Sequence, residues 1–200
     1  MAWDSTLHRE KTVDERISIV YSRFAAGDTA DGTKYSLGGL YVHRVVSYVS
    51  KRALENLINA ANAKNLSEAD LFEFDANGNK VGVIYNRLTP KDCGITREHV
   101  IPVNETYNYL CNCFRDTNLI ADRRRNEQII RKLFPKLHIA YITTDEDRRL
   151  SNYHLQRRMP DGWWTSSNLD PLDRYRCAEL GDDIWVKDFL NDDNSPRWTE

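Results

Sequence analysis

An α+β fold is predicted by three observations. Ile17, Val20, Tyr21 and Phe24 recur at helical spacing near the start, the stripe of a helix with one buried face. Asn77-Gly78 separates two runs of strand length and is a strong hairpin signal. Strand-length and helix-length segments then intermix, with Pro102, Pro135 and Pro160 as stops. The chain of 200 residues, 40% hydrophobic and 29% charged, is long enough for one domain with a real core.

In order, residues 1–12 read as a loose terminus and 13–26 as the first helix. Gly27 to Gly32 is a loop. A longer helix is expected over 40–63, with Val42, Val45, Val46, Val49, Leu54, Leu57 and Ile58 as its buried face. Ser67 and Asp70 form a capping-box pattern for a short turn. The hairpin follows, over 71–85. Asp75, Asn77 and Asn79 imitate a calcium loop, but Lys80 stands where Gly is needed and Asn86 where Glu is needed. Turn chemistry accounts for these residues instead. Strands are expected at 94–100, 117–121 and 137–142, with a polar, aromatic loop containing one helical turn over 104–114. Asp122 caps a helix over 123–134. A helix over 145–158 and a short one over 173–180 follow, and 191–196 reads as a mobile tail.

The net charge is −2, yet residues 115–158 hold eleven Lys or Arg against six Asp or Glu. Such a basic middle can track a phosphate backbone. Cys93, Cys111, Cys113 and Cys177 lack a Cys-x-x-Cys pair, so reduced thiols are expected rather than a structural Zn2+ site. No apolar run approaches the roughly 20 residues of a membrane span. The start lacks a signal pattern, and a cytoplasmic protein with no membrane association is expected.

The chemistry concentrates in Arg97-Glu98-His99-Val100-Ile101-Pro102. A carboxylate and an imidazole stand back to back at a strand end. Asn118 precedes Leu119-Ile120, and Asn126 closes the run Arg123-Arg124-Arg125-Asn126. Imidazole can accept a proton from water near neutral pH. Carboxylate and amide oxygens are hard donors suited to Mg2+ or Mn2+, and the arginines offer charge to phosphate. That set points to cutting of nucleic acid.

The order strand with Glu-His, loop, strand with Asn-Leu, helix with Asn resembles the HNH, or His-Me finger, endonuclease superfamily. Pro102, three residues after His99, is similar to its His-x-x-Pro branch. The likeness covers 94–134, roughly a fifth of the chain. It implies a ββα-metal nuclease core over 90–136, a helical region with the hairpin over 1–89, and a C-terminal extension over 137–200, in one compact unit. By resemblance, His99 is the general base and Asn118 orients its ring. Glu98 and Asn126 hold Mg2+ or Mn2+, which stabilises the leaving 3′ oxygen. Arg97, Arg123, Arg124, Arg125 and Lys132 bind DNA, although strand alternation turns Arg97 away from Glu98. Asn at position 126 departs from the three-letter pattern and leaves Asn118 and Asn126 open to exchange of roles. The implied activity is a metal-dependent DNA endonuclease with 5′-phosphate products, in a bacterial or phage restriction or defence setting. Oligomeric state is open, a homodimer included.

Each residue also has an ordinary reading: His99 as a packed strand-end histidine, Asn118 as a turn residue, Asn126 as exposed helix surface, the arginines as a solvated face. The competing class is a non-catalytic nucleic-acid-binding or protein-interaction module on the same scaffold. A regulator with an accidental Glu-His is the third. His138 in an apolar run reads as core, and Trp163-Trp164, Tyr107 and Tyr109 read as packing or base-stacking residues.

Overall fold

A computed structural model describes residues 11–41, 43–85, 87–88 and 93–197. Most of the expected loose terminus, Val42 and Asn86 lie outside the described residues. Among those described, eight α-helices accompany six short strands in two three-stranded sheets, and the protein is α+β.

Helix α1 (Val13–Ala25) starts at a capping box: the Thr12 hydroxyl accepts from the Glu15 N–H, and the Glu15 side chain accepts from the Thr12 N–H. Its Ile17, Val20 and Tyr21 are buried as the stripe predicts. Helix α2 (Ala30–Gly38) packs beside it, and both meet later helices through one large core.

The expected helix over 40–63 is a different object. Among its described residues only α3 (Lys51–Ala63) is α-helical, begun by Ser50, whose hydroxyl accepts from Ala53 N–H, while Leu40 and Tyr41 end a short 3-10 turn. Before it lie β1 (Val45–Val46) and β2 (Tyr48–Val49). The valines satisfy a helical template, but a short apolar run buried on both faces fits a strand equally well. β-branching then favours the pleated form. Ser47, between the two strands, gives its hydroxyl to Val81 O at 3.2 Å and marks where the chain leaves one sheet for the other.

The first sheet runs β1–β4–β3, all antiparallel, with β3 (Phe72–Phe74) and β4 (Lys80–Ile84) forming the expected hairpin. The Asp75 carboxylate accepts from Asn77 N and Asn79 N, both at 2.8 Å, and Gly78 takes φ +82°. This is turn chemistry, not a cation site. The short helix α4 (Glu68–Leu71) carries the expected Ser67–Asp70 box. At Gly82 an added Cβ would press on Val45 Cγ1 and stand 2.8 Å from Val46 O. Gly82→Ala should therefore destabilise the fold by about 1–3 kcal/mol, read as a lower urea midpoint with unchanged m.

The second sheet runs β2–β6–β5. Its centre, β6 (Ile139–Thr143), pairs parallel with β2 and antiparallel with β5 (Ile95–His99). The expected strand over 117–121 is absent: the segment is a turn. The Asn118 side-chain oxygen accepts from Ile120 N and Ala121 N, both at 3.0 Å, so those donors cannot serve a ladder. The partner of β5 arrives only after two helices, α5 (Val103–Phe114) and α6 (Arg123–Leu133). The 94–134 segment is thus strand–helix–helix, and the strand–strand–helix order of a ββα unit is not what it forms. Helix α5 replaces the expected loop because Thr106, Leu110 and Phe114 share one buried stripe.

Helix α7 (Thr144–Asn152) is shorter than expected. His154 takes φ +58°, and Leu155 N bonds Leu150 O, which closes the helix in a left-handed turn. Beyond it, α8 (Asp173–Cys177) and Trp185 cover the other face of the second sheet. That sheet draws one strand each from the 1–89, 90–136 and 137–200 segments, so they interleave. The expected mobile tail is laced down: Asn191 N bonds Ser195 O, and Arg197 N bonds Phe189 O.

Candidate active site

Strand β5 sets the geometry. Arg97 pairs with Tyr141 and His99 with Ile139, while Glu98 pairs with Ala140. Opposed residues share a face and successive ones alternate. Tyr141 and Ile139 belong to the large core on one side of the sheet, Ala140 to the smaller core on the other. The sheet therefore places Arg97 and His99 on one face, roughly 7 Å apart by strand rise, and Glu98 on the opposite face. Alternation indeed turns Arg97 away from Glu98, and it turns His99 away as well.

His99 is half-buried at the strand end. Tyr41 meets it edge-on at 4.8 Å between ring centroids, and Tyr41 OH is fixed by Thr106 Oγ1 at 2.6 Å. No described residue hydrogen-bonds its ring nitrogens. Burial lowers its pKa from 6.5 to about 4, with the Arg174 and Arg97 charges adding to the shift, so the ring is neutral at pH 7. Arg97 is exposed, donates to Tyr85 OH at 3.2 Å and lies over the Tyr85 ring. A neutral base and a guanidinium thus face the same way.

On the other face, Glu98 is held by Arg174 in a charge-assisted bond. Arg174 is fully buried. It also donates to Leu155 O and Gln156 O, at 3.3 and 3.4 Å, and to Tyr175 OH at 3.2 Å. Burial pushes the Glu98 carboxyl above its ordinary pKa, and the Arg174 charge draws it back. No local pattern in Asp-Arg-Tyr-Arg-Cys marks Arg174 as the partner, because the segment reads as a solvated helical turn.

The two asparagines are structural in this arrangement. Asn118 builds the turn described above, and its N–H also bonds the Asp122 carboxylate at 3.0 Å. Asn126 was expected on the helix surface or at a metal; it is fully buried. Its amide donates to Thr117 Oγ1 at 3.2 Å, while its Oδ1 is enclosed without a partner among the described residues. A divalent ion does not fit residues placed so: the Glu98 carboxylate is matched by a guanidinium and lies across the sheet from His99, while the Asn126 amide is bonded to Thr117. Among the described residues no group of three or more His, Cys, Asp or Glu is arranged to hold a metal. The four cysteines are free thiols.

The cationic residues sort themselves. Arg123 is engaged by Glu127 and by Ser18 Oγ, both at 2.9 Å. Arg124, Arg125 and Lys132 are exposed on α6 and, among the described residues, have no ion-pair partner. Trp164 stacks on Tyr109 at 4.2 Å and donates to Glu105, so both rings serve packing. His138 stacks on His43 at 4.6 Å and bonds Pro135 O.

His43 reports on the core. Its Nε2 bonds Leu137 O at 2.7 Å, and burial lowers its pKa from 6.5 to about 4. With the folded pKa below the unfolded one, the unfolded chain takes up the proton first, so stability falls as pH drops from about 6.5 to about 4. The slope is about 1.4 kcal/mol per pH unit for each such histidine. His99 acts in the same direction. Urea midpoints between pH 7 and 4.5 should show this loss, and His43→Gln should flatten it by one proton.

No family model matches the chain, and no curated protein or solved structure is significantly similar to it. No described helix is long and apolar enough to cross a membrane.

Proposed function

We propose that this chain is a phosphodiester hydrolase, an endonuclease acting on DNA, with His99 as its general base. One observation carries the reading: a neutral, partly buried imidazole, its ring nitrogens without a hydrogen-bond partner among the described residues, shares a sheet face with the exposed Arg97 guanidinium. A phosphodiester held by Arg97 would bring its phosphorus within reach of a water activated by His99. The water oxygen bonds to phosphorus, its proton passes to the imidazole, and the bond to the 3′ oxygen breaks. That oxygen takes a proton from solvent. The guanidinium balances charge on the non-bridging oxygens. Mg2+ or Mn2+ enters from the superfamily resemblance alone, and no step is derived through it.

A second reading has its own support. Glu98 and Asn126 are consumed by structural contacts, as expected of a scaffold that binds nucleic acid without cutting it. Supercoiled plasmid incubated with wild type and His99→Ala, in Mg2+, in Mn2+ and in EDTA, decides between them. Nicking or linearisation lost in His99→Ala supports the hydrolase. Binding without cleavage in all three buffers supports the module.

A further inference from the structure

Ile120 is 85% exposed, against 46% for the next large apolar side chain, Tyr35. Single exposed apolar residues are common and by themselves mean little, but this one is held out by construction. Its neighbour Leu119 is partly buried and packs against the core. Its own N–H and that of Ala121 are bound by the Asn118 side chain, the Asn118 N–H by the Asp122 carboxylate, and Asp122 N by Asn118 O at 2.8 Å. A stiff β-branched side chain thus stands at the tip of a locked turn. Three residues on begins α6, which carries Arg124, Arg125 and Lys132, exposed and without ion-pair partners among the described residues. Arg125 and Lys132 are seven residues apart and fall on one helix face.

We propose that Ile120 is a wedge that enters the minor groove of duplex DNA and parts a base step, with Arg124, Arg125 and Lys132 seated on the flanking phosphates. The inference rests on the DNA reading above and names how that duplex is gripped. The charge pattern selects the occupant: cations without ion-pair partners on the helix that follows one apolar tip match a phosphate-lined groove, where inserted apolar wedges such as Ile or Leu partly unstack base steps. A lipid bilayer needs far more buried apolar surface, since even a whole acyl chain anchors only marginally. A protein interface needs an apolar centre that this tip alone does not supply.

The test uses the full chain in EDTA and a short duplex with 2-aminopurine at a central TA step, the most easily parted kind. Wild type should bind and raise the fluorescence. Ile120→Ala, at an exposed position harmless to folding, should bind about tenfold more weakly, leave the fluorescence flat, and keep the wild-type salt dependence. The Arg124→Gln/Arg125→Gln pair should reduce the slope of log K against log salt by about 2. Wild-type affinity and fluorescence in Ile120→Ala overturn the wedge, as does an Ile120 requirement for phosphatidylserine vesicles but not for duplex. Failure of every protein to bind duplex at low salt removes the DNA reading itself, a result distinct from loss of the wedge alone.

Discussion

Replacing Arg174 with methionine is expected to cost about 3–5 kcal/mol of folding stability, the usual result of removing one partner from a buried ion pair. Arg174 is fully buried, and the Glu98 side chain is 15% exposed. Without the guanidinium, Glu98 keeps a desolvated charge, and Leu155 O, Gln156 O and Tyr175 OH lose a donor. The pH dependence identifies the cause. Burial already raises the Glu98 pKa, and without Arg174 it rises further. A group whose folded pKa is raised contributes stability at low pH and loses it as pH increases. The gap between Arg174→Met and wild type should therefore narrow from pH 8 toward pH 5, where a protonated Glu98 needs no counter-ion. Glu98→Gln/Arg174→Met should recover most of the loss, because no charge is left buried. Urea denaturation of wild type, Glu98→Gln, Arg174→Met and the double variant measures the coupling; additive single losses would show that the pair does not act as a unit.

That pair also explains what could be read from the sequence. Signals contained within a few residues were legible: the α1 stripe, the Asn77-Gly78 hairpin, the Ser67–Asp70 box, β5, and α6 ending before Pro135 all stand where local chemistry puts them. Elements chosen by distant partners were not. Residues 45–49 fit a helix template until sheet neighbours at 83–84 and 140–141 are supplied. Asn-rich α5 lacks propensity and is stabilised by burying Thr106, Leu110 and Phe114. At the site, the position of Glu98-His99 on a strand was visible, and the alternation that sends them to opposite faces was available from the same five residues. Arg174 was not, because its partner lies 76 positions away.

On the proposed hydrolase reading, His99→Ala should lower cleavage by about 10²–10⁴-fold, the range for loss of a positioned general base, with folding intact by circular dichroism. Duplex binding in EDTA should change little, since on the proposed reading the phosphate contacts are assigned to Arg97 and the α6 cations. The pH profile is the sharper test. A base of pKa about 4 is fully deprotonated at pH 7 but accepts a proton weakly, which would make the free enzyme a poor catalyst. A bound phosphodiester reverses this, because its negative charge beside the ring stabilises the imidazolium and raises the pKa toward the working range. The acid limb of kcat/KM reports the free enzyme and should lie near pH 4; that of kcat reports the complex and should lie higher. Acid unfolding overlaps the lower limb, so activity must be followed by jumps from pH 7 with recovery checked on return. Coincident limbs near pH 6.5 would mean that His99 titrates as an ordinary exposed histidine and that Tyr41 and the sheet do not hold it neutral.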